Sequence, residues 1–290
     1  MFARSTLTTI GVALMLWLGA AVADSLTRGL LFEVSGCETA PSYLFGTMHS
    51  EDPRVIRLPA PVQARFDQAH GFVTEAVPDP DSVRKATALM HLADGRTLKQ
   101  ILPSPLYDQT VVVMASLGMP EAAIQTLKPW ALVTLLSSPP STTGEFLDVR
   151  LYRAALAQGK PVVGLETLDE QVALFDTLSE ADQIALLNQT LAIHGELSGV
   201  FQRLVAAYVH RDLGTLSELN EMYQRWGAPD LAERFHRVAI DERNARMAER
   251  MVPLLAKGNQ FVAVGALHLP GPQGLLQRLV DRGCRVRAIY

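Results

Sequence analysis

The sequence lacks the excess of positive charge found in proteins that bind nucleic acid or a membrane surface. Its 26 lysines and arginines are outnumbered by 30 aspartates and glutamates, and the formal net charge is −4. Neutralising phosphate groups requires a basic face on the protein. We therefore expect no nucleic-acid partner and no polybasic contact with a membrane.

The short motifs of several large enzyme classes are missing as well. The sequence contains no Gly-x-Ser-x-Gly elbow, no Walker loop, no His-Glu-x-x-His and no Gly-x-Gly-x-x-Gly. Cysteine is scarce, and Cys37 and Cys284 do not have the spacing of metal ligands. Any catalytic site must therefore be built from residues that these motifs do not describe.

One long apolar run is present, and it lies near Met1. Ile10 to Leu18 follows the basic Arg4 and precedes the small residues Ala21-Val22-Ala23. This order is typical of a secretory signal peptide. We predict cleavage after Ala23, which makes 1–23 a signal peptide and 24–290 a single periplasmic or secreted domain without a membrane span. A retained membrane anchor is the alternative.

Export to an oxidising compartment permits a disulfide bond. Cys37 and Cys284 are the only cysteines, and both lie near the ends of predicted strands. We predict that they pair with each other. The alternative is that both are small, buried apolar side chains.

Short apolar runs with turn residues on either side predict strands, and most of them lie near the two ends of the chain. These runs are 30–34, 42–45, 71–75, 161–166, 260–264 and 284–290. Residues 82–160 and 179–250 instead show mainly helical spacing of apolar residues. The sequence therefore predicts an α/β (α+β) fold, with a central mixed sheet formed by both chain ends and large helical insertions.

Two of the predicted strands end in the same pattern, Gly-x-x-His. The first is Gly46-Thr47-Met48-His49 and the second is Gly265-Ala266-Leu267-His268. Ligands of open α/β sheets bind at the carboxyl ends of the strands, and imidazole is suited to metal ligation and to proton transfer near neutral pH. We predict that both histidines belong to one functional site. The alternative is a pair of hydrogen-bonded structural histidines.

Two carboxylates also follow apolar strands. Glu75 and Glu166 end the runs 71–75 and 161–166. A carboxylate near two imidazoles can complete a metal site, orient a histidine or act as a general base. We expect Glu75 and Glu166 to join His49 and His268 around a divalent metal ion. The alternative for each carboxylate is a strand-end charge paired with lysine or arginine.

A strongly helical stretch near the end of the chain contains Arg243 and Asn244. Asparagine is a poorer helix former than its neighbours here, and arginine can clamp a carboxylate or an oxyanion. These two residues are therefore candidates for the site. The other charges of this helix are expected to form its solvated face: Glu242, Arg246, Glu249 and Arg250. The remaining histidines have no partners at ligand spacing and are interpreted as surface or core residues: His70, His91, His194, His210 and His236.

At these motifs the chain resembles the TraB/GumN family, which is related to the Tiki and PrgY proteins. The matching stretches follow one another in family order over about residues 30–290: Tyr43 to His49, Glu75, Lys128-Pro129-Trp130, Gly164 to Thr167, Glu242 to Met247, and Val264 to Gly271. The resemblance implies an α/β core in which both Gly-x-x-His motifs and the glutamate converge, with the Arg-Asn helix nearby. It also implies a metal-dependent peptidase, although distant relatives include an esterase and a haem-binding protein.

Three functions remain open from the sequence. The first is a metal-assisted hydrolase of peptide or amide bonds, with a divalent ion held by His49, Glu75 and His268 and with Arg243 or Asn244 at the oxyanion. The second is a metal-independent hydrolase in which His49 is the general base and Glu75 orients it. The third is a protein that binds a peptide or small molecule without catalysis. Charged residues in Ser50 to Arg54 lie beside the first histidine, and the sequence gives them no role.

Overall fold

The structure is a computed structural model, and it describes residues 26–36, 40–138, 141, 143–224 and 229–290. The predicted signal peptide and Cys37 lie outside the described residues. Cleavage after Ala23 and the pairing of Cys37 with Cys284 therefore stay predictions. Within the described residues, no helix is both long and apolar enough to cross a membrane.

The core is a mixed sheet in the order β4-β3-β5-β2-β1-β6. Its strands are β1 Leu31–Ser35, β2 Ser42–Thr47, β3 Gly71–Ala76, β4 Val162–Glu166, β5 Gln260–Gly265 and β6 Arg285–Ala288. Strands β4, β3, β5 and β2 run parallel to one another, whereas β1 is antiparallel to both of its neighbours. The predicted mixed sheet built from both chain ends is confirmed.

Helices connect the strands and make up most of the middle of the chain. They are α1 Pro53–Ile56, α2 Ala60–Gln68, α3 Pro80–Leu89, α4 Leu98–Ile101, α5 Ser104–Ser116, α6 Glu121–Ile124, α7 Pro129–Leu136, α8 Leu147–Ala157, α9 Leu168–Asp176, α10 Glu180–Val209, α11 Leu213–Gln224, α12 Pro229–His236, α13 Arg243–Leu255 and α14 Leu275–Asp281. Many begin at proline, which has no N–H to leave unpaired and has a φ that suits the first turn.

The buried side chains form two separate apolar clusters. The first lies around the sheet, where Phe45, Phe66 and Phe72 pack with Phe261. The second is centred on Trp130 and belongs to the helical insertion; it includes Leu98, Met114, Ile124, Leu132 and Leu187. The helical insertion therefore buries its own apolar side chains beside the sheet that positions the site.

The predicted helical stretch 179–250 has Gly195, Gly199, Gly214, Gly227 and Pro229 as its only helix breakers. One helix does begin at Pro229, but not every glycine marks an interruption. Gly195 and Gly199 lie inside α10, whose packing overrides their poor helix propensity. The chain turns instead at Arg211, which has a φ of 59°. A π-helical turn, Arg237–Glu242, joins α12 to α13. Such turns are frequent beside functional sites, and this one ends directly before Arg243.

Candidate functional site

The four parallel strands bring the predicted site residues to one edge of the sheet. The carboxyl ends of parallel strands face the same way, so β4, β3, β5 and β2 present Glu166, Glu75, Gly265 and Thr47 side by side. His268 and His49 follow the last two strands by a few residues. The sequence therefore located the edge of the sheet at which these residues meet.

The two Gly-x-x-His motifs are offset by one residue in the sheet. Gly46 pairs with Val264, whereas Gly265 pairs with Thr47. Successive residues of a strand point to opposite faces, so the two glycines face opposite sides. A Cβ at Gly46 would meet Leu269 and Ala266, while one at Gly265 would meet Glu75 and His268. This offset gives the two histidines different surroundings.

Gly46 provides a direct test of this close packing. A Cβ at this position would lie 2.8 Å from Cδ1 of Leu269 and 3.2 Å from Cα of Ala266. We expect Gly46→Ala to lower the free energy of unfolding by about 1–3 kcal/mol, as overpacked core substitutions do. Urea denaturation measures the loss.

The matched control is Gly195→Ala in α10, where a Cβ would have no heavy atom within 4 Å. This substitution should raise stability by up to about 1 kcal/mol because alanine favours the helix. Equal effects of the two substitutions would contradict the packing seen at Gly46.

His49 lies at the surface end of the edge and is held on two sides. Its Nδ1 is 3.2 Å from both carboxylate oxygens of Asp148. Its ring stacks on Phe146 with the centroids 3.7 Å apart and the planes 19° apart. The side chain is still 54% exposed. An ionised carboxylate only accepts hydrogen bonds, so Nδ1 carries the proton of the neutral ring and Nε2 is the base.

His268 is buried beneath the edge. Its Nδ1 is 2.8 Å from Oδ1 of Asn244, whose amide N–H donates to the carbonyl of Gln273. Burial lowers the pKa of His268 below its ordinary value; Arg243 lowers it too, and the carboxylates of Glu75 and Glu166 oppose this shift. The ring is therefore neutral at neutral pH. Nε2 lies 3.7 Å from Oε1 of Glu75, which is too far for a hydrogen bond.

Glu75 occupies the centre of the edge with both oxygens bonded. Oε1 accepts the backbone N–H of Gly265 at 2.6 Å. Oε2 accepts Arg243 at 2.7 Å and the side-chain amide of Gln171 at 3.2 Å. Burial raises the pKa of Glu75, but His268 in its protonated form, Arg243 and the Gly265 N–H outweigh it and lower the pKa to about 2. The carboxylate is therefore ionised and a weak base.

Glu166 forms the second half of an arginine–carboxylate network. Its carboxylate accepts Nε of Arg243 at 2.9 Å and Nη2 of Arg246 at 2.6 Å, and the side chain has no exposed surface. Arg250 donates to the carbonyl of Leu165 at 2.8 Å. The expectation that Arg246 belongs only to a solvated helix face is therefore wrong, because α13 packs its side chain against Glu166 at the end of β4. Arg250 stays 42% exposed and pairs with Glu170.

A cleft of about 400 Å³ opens at the same edge. Its polar lining includes Thr47, His49, Thr74, Glu75, Asp148 and Gln171, and its apolar lining includes Pro78, Val83, Val149 and Leu168. The structure thus brings His49 and Glu75 to one cleft. His268 and Asn244 are buried, and Arg243 bonds Glu75 and Glu166, so these three residues lie beneath the cleft and do not line it.

The arrangement does not fit a resident metal ion. Among the described residues, no three His, Cys, Asp or Glu side chains are grouped so that they could share an ion. The oxygens of Glu75 and Glu166 are bonded to Arg243 and Arg246, and two guanidinium groups repel a cation. Of the predicted ligands, Glu75 and Glu166 are joined through Arg243, whereas His49 faces Asp148 and His268 faces Asn244.

Sequence reasoning missed the residues that hold His49. Asp148 is 99 residues from His49 along the chain, and both Phe146 and Asp148 lie at the start of α8. No motif surrounds them, and an acidic residue in a first helical turn has a sufficient local explanation in the helix dipole. Gln171 was missed for a similar reason. It is a single polar residue without a motif, and its helix, α9, was not predicted from the sequence.

Comparison with known proteins agrees with the motifs. The TraB/PrgY/gumN family matches residues 30–288. The chain is 27% identical to "Metalloprotease TIKI2" of Danio rerio over 85% of its own length and 58% of that relative's length. It is 23% identical to "Uncharacterized protein YbaP" of Shigella flexneri and of Escherichia coli K12, covering 82% of this chain and 87% of each relative. No solved structure shows significant similarity to it.

Proposed function

The chain belongs to the TraB/PrgY/gumN family, and from this premise we propose that it is a hydrolase of peptide or amide bonds, with its active site in the cleft beside His49 and Glu75. One observation carries the proposal. His49 is exposed to the cleft while Asp148 and Phe146 fix its ring. A base whose geometry is fixed by a third group is the arrangement that general-base catalysis requires.

In the proposed reaction, His49 moves the proton. Nε2 accepts a proton from a water molecule as the water oxygen bonds to the carbonyl carbon of the substrate. The protonated ring then gives this proton to the leaving nitrogen as the C–N bond breaks. One water is consumed, and the products are a carboxylic acid and an amine. Asp148 stabilises the positive ring between the two steps.

The other polar groups of the cleft have supporting roles. Glu75 is too acidic to act as the base near pH 7, since its pKa is about 2. It instead fixes the backbone of Gly265 and the amide of Gln171. The hydroxyls of Thr47 and Thr74 and the amide of Gln171 line the cleft, and each can donate to the oxyanion that forms on the substrate.

The test is an assay of the purified protein against a mixed library of peptides at pH 7, with cleavage read by mass spectrometry. The proposal expects cleavage that is lost in Asp148→Asn, because the amide no longer selects the same ring tautomer. Binding of a library peptide without cleavage would instead support the non-catalytic binding protein that the sequence left open.

A metal-dependent hydrolase is the second candidate, and similarity to a relative named a metalloprotease favours it. The two candidates differ in a simple measurement at fixed neutral pH. Since the oxygens of Glu75 and Glu166 already bond Arg243 and Arg246, we expect the rate to be unchanged by a chelator. Loss of activity in chelator and recovery with added divalent ion would show that His49, Glu75 and His268 rearrange around a metal.

We also propose that the protein is exported and acts on an extracytoplasmic peptide or small molecule. The support is the apolar segment before Ala21-Val22-Ala23. N-terminal sequencing should find Asp24 as the first residue. Under the same proposal Cys37 and Cys284 form a disulfide, and titration of the denatured, unreduced protein should find no free thiol.

A further inference from the structure

The charged segment after the first histidine reaches a distant loop. Glu51 lies two residues beyond His49, and its carboxylate accepts the hydroxyl of Ser141 at 2.5 Å. It also accepts the backbone N–H groups of Thr143 at 3.1 Å and of Gly144 at 2.5 Å. Gly144 has a φ of 71°. Adjacent N–H groups turned in this way form a concave site for an anion, and Glu51 fills it from within the same protein.

The loop held by Glu51 leads directly to the groups that hold His49. Phe146, which stacks on the ring, and Asp148, which faces Nδ1, follow Gly144 within four residues. Leu147, between them, is completely buried in the apolar cluster around the sheet, and this anchors the segment. His49 and Glu51 are therefore close together in the chain. His49 contacts Phe146 and Asp148, and Glu51 contacts Thr143 and Gly144 just before them.

The neighbouring charges do not share this role. Asp52 accepts the backbone N–H of Arg54 at the start of α1, and the two side chains bond each other at 2.7 Å. They stabilise the helix that follows. Glu51 instead contacts backbone 92 residues away. It therefore connects the segment that carries His49 to the segment that holds the His49 ring.

We propose that Glu51 is a positioning residue for His49. Its carboxylate holds Ser141, Thr143 and Gly144 so that Phe146 and Asp148 keep the imidazole in one orientation and one tautomer. The role in catalysis rests on the proposed function, whereas the effect on the ring does not require any activity. A ring that is free to rotate would present Nε2 to substrate for only part of the time, which lowers the turnover rate more than substrate binding.

The test compares the unmodified mature protein with its Glu51→Gln and Glu145→Gln variants. Glu145 is a matched control because it lies in the same loop and carries the same charge, but its carboxylate pairs with the exposed Arg153 at 3.7 Å. Nitrogen-15 NMR of the histidine rings reports the tautomer of His49, and ring-current shifts of its protons report stacking on Phe146. Ser141→Ala is a second variant, which keeps the charge of Glu51 and removes one donor.

In Glu51→Gln we expect a mixture of the two His49 tautomers, smaller ring-current shifts, and a kcat at least about tenfold lower with KM little changed. Ser141→Ala should show a smaller change of the same kind, and Glu145→Gln should match the unmodified protein. An unchanged tautomer and unchanged ring-current shifts in Glu51→Gln would overturn the proposal. Absence of hydrolysis in the unmodified protein would refute the proposed function alone, since the NMR readout still decides the role of Glu51.

Discussion

Replacing His49 by alanine should lower the hydrolytic rate by about 10²–10⁴-fold, the usual contribution of a general base. The side chain is 54% exposed, so its loss should change the free energy of unfolding by no more than about 0.5 kcal/mol. A large loss of rate without a loss of stability separates a catalytic group from a structural one. The measurements are kcat/KM on a cleaved library peptide and urea denaturation of the same preparation.

The matched control is His70→Ala. His70 is also exposed, but it precedes β3 and therefore lies at the opposite edge of the sheet from the cleft. It should keep full activity. If His49→Ala retains more than about a tenth of the rate, proton transfer by this ring does not provide the expected general-base contribution, and the proposed mechanism is wrong.

The edge that carries the site could be predicted from sequence because the signal is local. Apolar runs predict strands, and in a parallel arrangement the residues that follow them must meet at one edge. The strand pattern placed Glu75, Glu166, His49 and His268 near one another for this reason. Their order along the edge could not be predicted, since it depends on β5 inserting between β3 and β2, and strand order is a property of tertiary packing.

The difference between the two histidines was not predictable for a more specific reason. The motifs are identical in spacing, and only the one-residue offset between Gly46 and Gly265 in the sheet separates their faces. Register depends on how whole strands bury their apolar faces. A motif of four residues does not contain this information. The sequence therefore does not show that His49 is exposed and His268 is buried.

Arg246 was misjudged because helical periodicity does not show what lies opposite a helix. Arg243, Arg246 and Arg250 are spaced three to four residues apart and share one face of α13. A charged face usually meets water. Here Arg243 and Arg246 meet the ends of β3 and β4, where Glu75 and Glu166 accept their charges, while Arg250 pairs with Glu170. Only the fold brings these elements together.

Replacing Arg243 by leucine should destabilise the protein by about 3–5 kcal/mol, the usual cost of leaving a buried charge without its partner. The guanidinium is 13% exposed and lies 2.7 Å from Glu75 and 2.8 Å from Glu166. Without it, two carboxylates face each other beneath the cleft. Glu166 keeps Arg246, whereas Glu75 keeps the Gly265 N–H and the Gln171 amide, with His268 3.7 Å away.

The control for this substitution is Arg237→Leu in the adjacent π-helical turn. Its ion pair with Glu242 spans 3.6 Å and both side chains are more than half exposed, so the loss should be no more than about 1 kcal/mol. Urea denaturation at pH 7 compares the two variants. A loss at Arg243 as small as that at Arg237 would show that the network does not contribute to folding.

The pH dependence of the free energy of unfolding distinguishes the loss of the Arg243 charge from a packing defect. In the unmodified protein the pKa of Glu75 falls from 4.5 to about 2 on folding. A carboxylate with a lowered pKa contributes stability that is present in full above its unfolded pKa and is lost as the pH falls through the folded value. The unmodified protein should therefore lose this contribution between about pH 4.5 and pH 2.

In Arg243→Leu, burial without the guanidinium keeps the pKa of Glu75 higher, so less stability is lost in that window. The difference in unfolding free energy between the two proteins should be largest near pH 7 and should shrink as the pH falls below about 4.5. A difference that stays constant down to pH 3 would mean that leucine disturbs packing and that the charge of Arg243 is not what stabilises the edge.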